Sequence, residues 1–390
     1  STSAQSLTPV LRSPESSSGT GFPRGKQHAH RIVLYIALFA LLLVGSNLGT
    51  FYLASQLSSV PPTIVGQAYF VSSGQLSDNL TQGINDELQI NVHGIPQPAS
   101  GKRYYAWLSS DSGQSSTTYL LLGALTVNAG NIDFLYPGDA SHTNLLGSNS
   151  QFLITEESPS TVQPNQPSLN QERYRAGLPH ILGSNGLSSV NPLDAYRYLL
   201  YDSSIWTGIH SSLEVQFYQN MQKVLAFAND TSSASLQTEA VRILDYLVGT
   251  TQLKAGGEPC SFPVGNTMLD TVNVPLLSGL TTSSYAQLIT TQMSYISSAS
   301  DATSDIVSLT NQINTSLQSV ENSLVLVRKD AEIVACANNQ SSVGSTFADM
   351  GTQADHAFYG YVDSSGNVQE GGVWIHENIQ RLAVFNVSKV

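Results

Sequence analysis

ATSDIVSLTNQINTSLQSVENSLVLVRKDAEIVACA, residues 302–337, decides how the second half of this chain folds. Its apolar positions Ile306, Leu309, Ile313, Leu317, Val320, Leu324, Val327, Ala331 and Val334 stand three or four residues apart throughout. That spacing is one unbroken face of an α-helix about eight turns long. An apolar stripe of this length has to be covered, and the neighbouring sequence offers the cover. Helical periods recur at 193–201, 209–228, 235–249, 284–298, 347–358 and 374–385. Together they predict an up-and-down α-helical bundle over 191–390. A Gly/Pro-containing excursion, 249–280, interrupts it.

Working back along the chain, the period changes from helical to two. ELQINVHGI (87–95) places Leu88, Ile90 and Val92 on one face and Gln89, Asn91 and His93 on the other. Further strands are expected at 67–73, 103–110, 118–127, 131–137 and 150–157, separated by turns rich in Gly, Pro, Asp and Ser. Short strands at this spacing predict an antiparallel β-sandwich over 64–157. The stretch 158–190, with Pro159, Pro164, Pro167 and Pro179 in polar surroundings, reads as a linker.

Before the first strand lies IVLYIALFALLLVGSNLGTFYLA (32–54), apolar and uncharged, long enough as a helix to cross about 30 Å of hydrocarbon. Arg24, Lys26 and Arg31 precede it, and Lys102 is the first Lys or Arg after it. This asymmetry predicts a single-pass transmembrane helix in the cytoplasmic membrane, with a cytoplasmic N-terminus and an extracytoplasmic bulk. Residues 1–31, rich in Ser and Pro, read as a disordered cytoplasmic tail. The expected fold class is therefore a multi-domain membrane protein: one N-terminal transmembrane helix, a β-sandwich, then a helical bundle.

Composition narrows the partners. The net charge is −12, and charged residues make up only 11% of the chain, where roughly 25% is usual. There is no basic footprint for nucleic acid. A polar but weakly charged surface suits either exposure to an external, possibly acidic medium or cover by neighbouring proteins; the expected partners are membrane lipid and other protein subunits. Two cysteines, Cys260 and Cys336, stand far apart with no CxxC motif. Four soft ligands for structural zinc are absent. In an exported chain a Cys260–Cys336 disulfide is the expectation, two buried thiols being the other reading.

One stretch has a family likeness. GKRYYAWL (101–108), then Gly123, then FLITEESPSTVQPNQP (152–167), resembles the extracytoplasmic domain of bacterial anti-sigma-K factors over about residues 64–167. The resemblance implies a β-sandwich beyond a membrane helix, in which Tyr105, Trp107 and Phe152 are core residues. The cytoplasmic part departs from that family, being a short tail with neither cysteine nor helical periodicity.

Sites are sparse. His210 and Glu214 are four residues apart within one expected helix, a spacing that would project both from one face. His356 and His376, with Asp355 and Glu377 beside them, fall in the last two expected helices and could meet between them. These are weak metal candidates, weighed against ordinary structural histidines. No Gly-x-Ser-x-Gly, His-Glu-x-x-His, Walker or haem-attachment motif occurs, and no enzyme activity or cofactor is expected. The expected function is a non-enzymatic, membrane-anchored accessory or structural subunit of an envelope complex. The alternatives are an anti-sigma-like transmembrane regulator and an extracytoplasmic metal-binding protein.

Overall fold

The computed structural model describes residues 63–75, 82–111, 116–159, 164–181, 190–231, 236–255, 269–279, 283–339 and 342–390. Six strands fall where alternation predicts them: β1 (Ile64–Val71), β2 (Glu87–His93), β3 (Arg103–Ser109), β4 (Tyr119–Leu125), β5 (Asn131–Tyr136) and β6 (Gln151–Glu157). A seventh, β7 (Glu172–Gly177), lies inside the stretch that reads as a linker. A short hairpin, β8 (Gly360–Val362) and β9 (Val368–Glu370), precedes the last strand, β10 (Val384–Lys389).

Apart from the hairpin, the strands form one antiparallel sheet in the order β4-β3-β6-β7-β10-β1-β2-β5. The two outermost strands curl toward each other. A Cβ added to Gly123 on β4 would sit 3.0 Å from the Phe134 ring on β5, and its φ of +149° also favours glycine. The result resembles a barrel wall. Its inner face is filled by alternate residues, among them Phe70, Ile90, Leu108, Phe152, Ile154 and Phe385. Phe385 centres this packing, 5.4 Å from Phe70 and 6.0 Å from Phe152 between ring centroids.

This corrects the expected fold class. The sandwich followed by a separate bundle does not form, because β10, from the end of the chain, pairs with both β1 and β7. Residues 62–390 make one compact unit, with the helices inserted between β7 and β10. The transmembrane part of the expectation is corrected too: among the described residues no helix is long and apolar enough to cross a membrane. The stretch that carried it, 32–54, and the tail 1–31 lie outside the described residues.

The helices are α1 (Pro192–Leu200), α2 (Ser204–Thr207), α3 (Leu213–Ala228), α4 (Leu236–Val248), α5 (Thr250–Lys254), α6 (Tyr285–Ser297), α7 (Ser304–Ala335), α8 (Gly344–Tyr359) and α9 (Gly372–Ile379). Their starts are set by caps. Asn191 accepts from the Leu193 N–H ahead of Pro192 at the first turn, Ser284 and Gln287 form a capping box, and Thr303 accepts from Ile306. α7 is the spine: the predicted stripe is buried apart from Leu309, which is half-buried against it. α4, α6, α8 and α9 pack along it.

The last expected helix, 374–385, stops at Ile379, and a 3-10 turn (380–382) leads into β10. Val384 to Ser388 alternate instead, Phe385 and Val387 pointing into the core. Large aromatics behave as core residues, as the family likeness implies, but on opposite faces of the sheet. Phe152 points inward, whereas Tyr105 and Trp107 pack with Leu153 in a small second cluster. There the Trp107 indole donates to Thr155 Oγ1 at 2.9 Å.

Candidate functional site

The structure brings together two of the four candidate residues, in a combination the spacing does not suggest. Ser212 caps α3, its hydroxyl accepting from the Val215 N–H. The helix therefore begins at Leu213, leaving His210 in the preceding turn. The expected i, i+4 pair does not form. His210 is exposed and bonds Asp202, 3.0 Å away. His356 also does not meet His376 as expected; it stacks on Tyr361 with centroids 4.4 Å apart, and its neighbour Asp355 accepts from Asn229.

Glu214 and His376 are the pair that forms. Glu214, in the first turn of α3, is fully buried, and its Oε1 is hydrogen-bonded to Nδ1 of His376 on α9. Tyr218, one turn along α3, stacks on the imidazole, with centroids 4.1 Å apart and planes 11° apart. Phe358 of α8 backs the tyrosine at 5.3 Å. Burial alone would push the His376 pKa down, but the Glu214 hydrogen bond and the charges of Glu214 and Glu377 outweigh it and hold the pKa above its ordinary value. Burial raises the pKa of Tyr218. The second oxygen, Glu214 Oε2, is buried without a hydrogen-bond partner among the described residues. A proton can be held here between carboxylate and imidazole. No group of three His, Cys, Asp or Glu able to hold a metal occurs among the described residues.

Cys336 ends α7 and is disulfide-bonded. Cys260 lies outside the described residues.

A second constellation lies on the outer face of the sheet, where a groove of about 990 Å³ runs between β1, β2 and β10 and the first turns of α7. The strand registers set Asn386, Gln67, Asn91 and Asp133 side by side across β10, β1, β2 and β5. Gln67 Nε2 donates to Asn386 Oδ1 at 3.1 Å, and Gln89 Nε2 donates to Asp133 Oδ1 at 2.6 Å. The Asn91 amide and the Tyr69 hydroxyl lie 3.3 Å apart. Asp305, Leu309 and Gln312 of α7 and Arg381 of the 3-10 turn make the opposite wall. β1 approaches β2 closely here: a Cβ on Gly66, at φ +149°, would run into the Asn91 carbonyl oxygen. The outward alternation of Gln89, Asn91 and His93 was the visible signal for this face, but which strands flank it is set by long-range pairing.

Compared with models of protein families, with curated proteins and with solved structures, the chain matches none.

Proposed function

We propose that this chain is a non-enzymatic extracytoplasmic protein that serves as an accessory or structural subunit of a larger cell-envelope assembly. The observation that carries the reading is the β8–β9 hairpin. Val362 and Val368 are directly paired across it and are 65% and 64% exposed, with Tyr359 at its base 64% exposed. Large apolar side chains grouped on a short ribbon suit a protein contact. The disulfide at Cys336 supports an oxidising compartment. The non-enzymatic part rests on the sequence, where no catalytic motif stands.

The test is native purification from envelope extracts, with the mass of the complex measured in solution. Wild-type protein is expected in a species well above its own 41.7 kDa. The double variant Val362→Asp, Val368→Asp should run alone while melting like wild type. A wild-type protein that runs alone, or a variant retained in the assembly, overturns the proposal.

A further inference from the structure

We propose that the groove between the β10–β1–β2 face and the start of α7 is a binding site for a neutral glycan, a short run of pyranose rings laid across the strands. Size is the first argument. About 990 Å³ is at the upper end of pockets that take small ligands. It is an open trough, as a polymer segment needs.

Chemistry is the second argument. Sugar hydroxyls both donate and accept, so they are best met by planar groups that do the same. Gln67 and Asn91 in the lining, with Gln312 opposite, offer amides with both functions, and Asn386 and Asp133 continue the row on either side. Strand pairing holds the four sheet side chains in one row at the roughly 4.8 Å interstrand spacing. Their mutual bonds fix them before any ligand arrives: Gln67 is tied to Asn386, and Asn91 lies beside Tyr69. Side chains already held in place lose little entropy on binding. Sugars also carry apolar C–H faces, and Tyr69, Leu309 and Val384 in the lining supply matching apolar surface.

Charge is the third argument, and it selects among polar ligands. The described lining contains no lysine and no glutamate, and its charged or titratable residues are Asp305, Arg381 and His93. No single sign dominates, so a polyphosphate or nucleic acid has no field to follow. The inference concerns a surface separate from the hairpin and does not depend on the reading given to the hairpin.

Calorimetric titration of the full chain with cellotetraose, chitotetraose and maltotetraose tests it. At least one should bind with a dissociation constant in the micromolar to millimolar range. Tyr69→Ala on the sheet and Gln312→Ala on the helix wall should each weaken that binding about tenfold, the equivalent of about 1.4 kcal/mol. Both variants are checked for an unchanged melting transition, and having one from each wall guards against a local folding defect. The hairpin variant Val362→Asp, Val368→Asp should bind the sugar like wild type, which separates failure here from failure of the subunit reading. Absence of heat with all three sugars at about 10 mM, binding untouched by both groove variants, or tighter binding of a glycerol-phosphate polymer than of any neutral sugar would each overturn the proposal.

Discussion

The α7 spine and the α3–α9 junction are both buried, and both tie distant parts of the chain together, yet they hold by different means. Along α7, Ile313, Leu317, Val320, Leu324 and Val327 join the helical layer through apolar area alone. At the junction, one carboxylate and one imidazole do the joining, with Tyr218 stacked against the ring. Apolar packing is indifferent to pH and sensitive to volume. A buried charge pair is sensitive to both partners and to the proton between them. α9 leads through the 3-10 turn into β10, a strand inside the sheet, so the conditional joint is also one that connects helices to sheet.

The largest effect that would sharpen this contrast is at the spine. Leu317 is 2% exposed. Leu317→Asp buries a charge without a partner and should abolish cooperative thermal unfolding. Leu317→Ala should keep the transition and cost about 2–5 kcal/mol, read from the denaturant midpoint. An unchanged midpoint in the aspartate variant would mean that the stripe is a surface and not a core.

The junction should respond next. His376→Ala leaves Glu214 buried with neither oxygen bonded by the imidazole, at a cost of about 3 kcal/mol. Glu214→Gln keeps the shape and removes the charge, so it should cost less. If alanine and glutamine variants melt alike, the pair acts through packing and the contrast with α7 disappears. A smaller loss, about 1–3 kcal/mol, is expected for Gly66→Ala, where β1 must shift to clear the Asn91 carbonyl. That variant should also disturb the groove floor, visible as altered amide exchange in β1 and β2 with α7 unaffected.

The same contrast explains what the sequence made legible. α7 declares itself because its cover is periodic within a single stretch, and β1 to β6 because alternation is local. β10 does not: WIHENIQRLAVF keeps a helical period up to Phe385, and only pairing with β1 gives the last residues their strand. Gln67 and Asn386 meet across 319 positions. β7 is hidden because only Tyr174 and Ala176 point inward within a polar, proline-flanked stretch. Alternation also says nothing about whether strands split into two sheets or curl into one. The site shows the same division. His210 and Glu214 had a suitable spacing, but the Ser212 cap placed a helix start between them. Glu214 and His376, 162 positions apart, could be singled out separately but not paired.

The smallest expected effect isolates the proton. His376 has a folded-state pKa above its ordinary value of 6.5, because Glu214 and Glu377 favour the imidazolium more than burial opposes it. A group whose pKa is raised by folding contributes stability that is fully present below its unfolded pKa and is lost as pH rises through the folded one. The contribution should therefore be complete below about pH 6.5 and should fade at higher pH. The groups acting on the ring are Glu214 from α3 and Glu377 from α9 itself, with the Tyr218 ring stacked on it. Other ionisable groups will tilt the whole curve, and the useful quantity is the difference in Tm between wild type and His376→Ala. That difference should shrink from pH 6 to pH 9, as the stabilising imidazolium is lost. Across the same range the difference between wild type and Leu317→Ala should stay level. A His376 difference that grows with pH would reverse the sign, making the neutral imidazole the form the fold prefers.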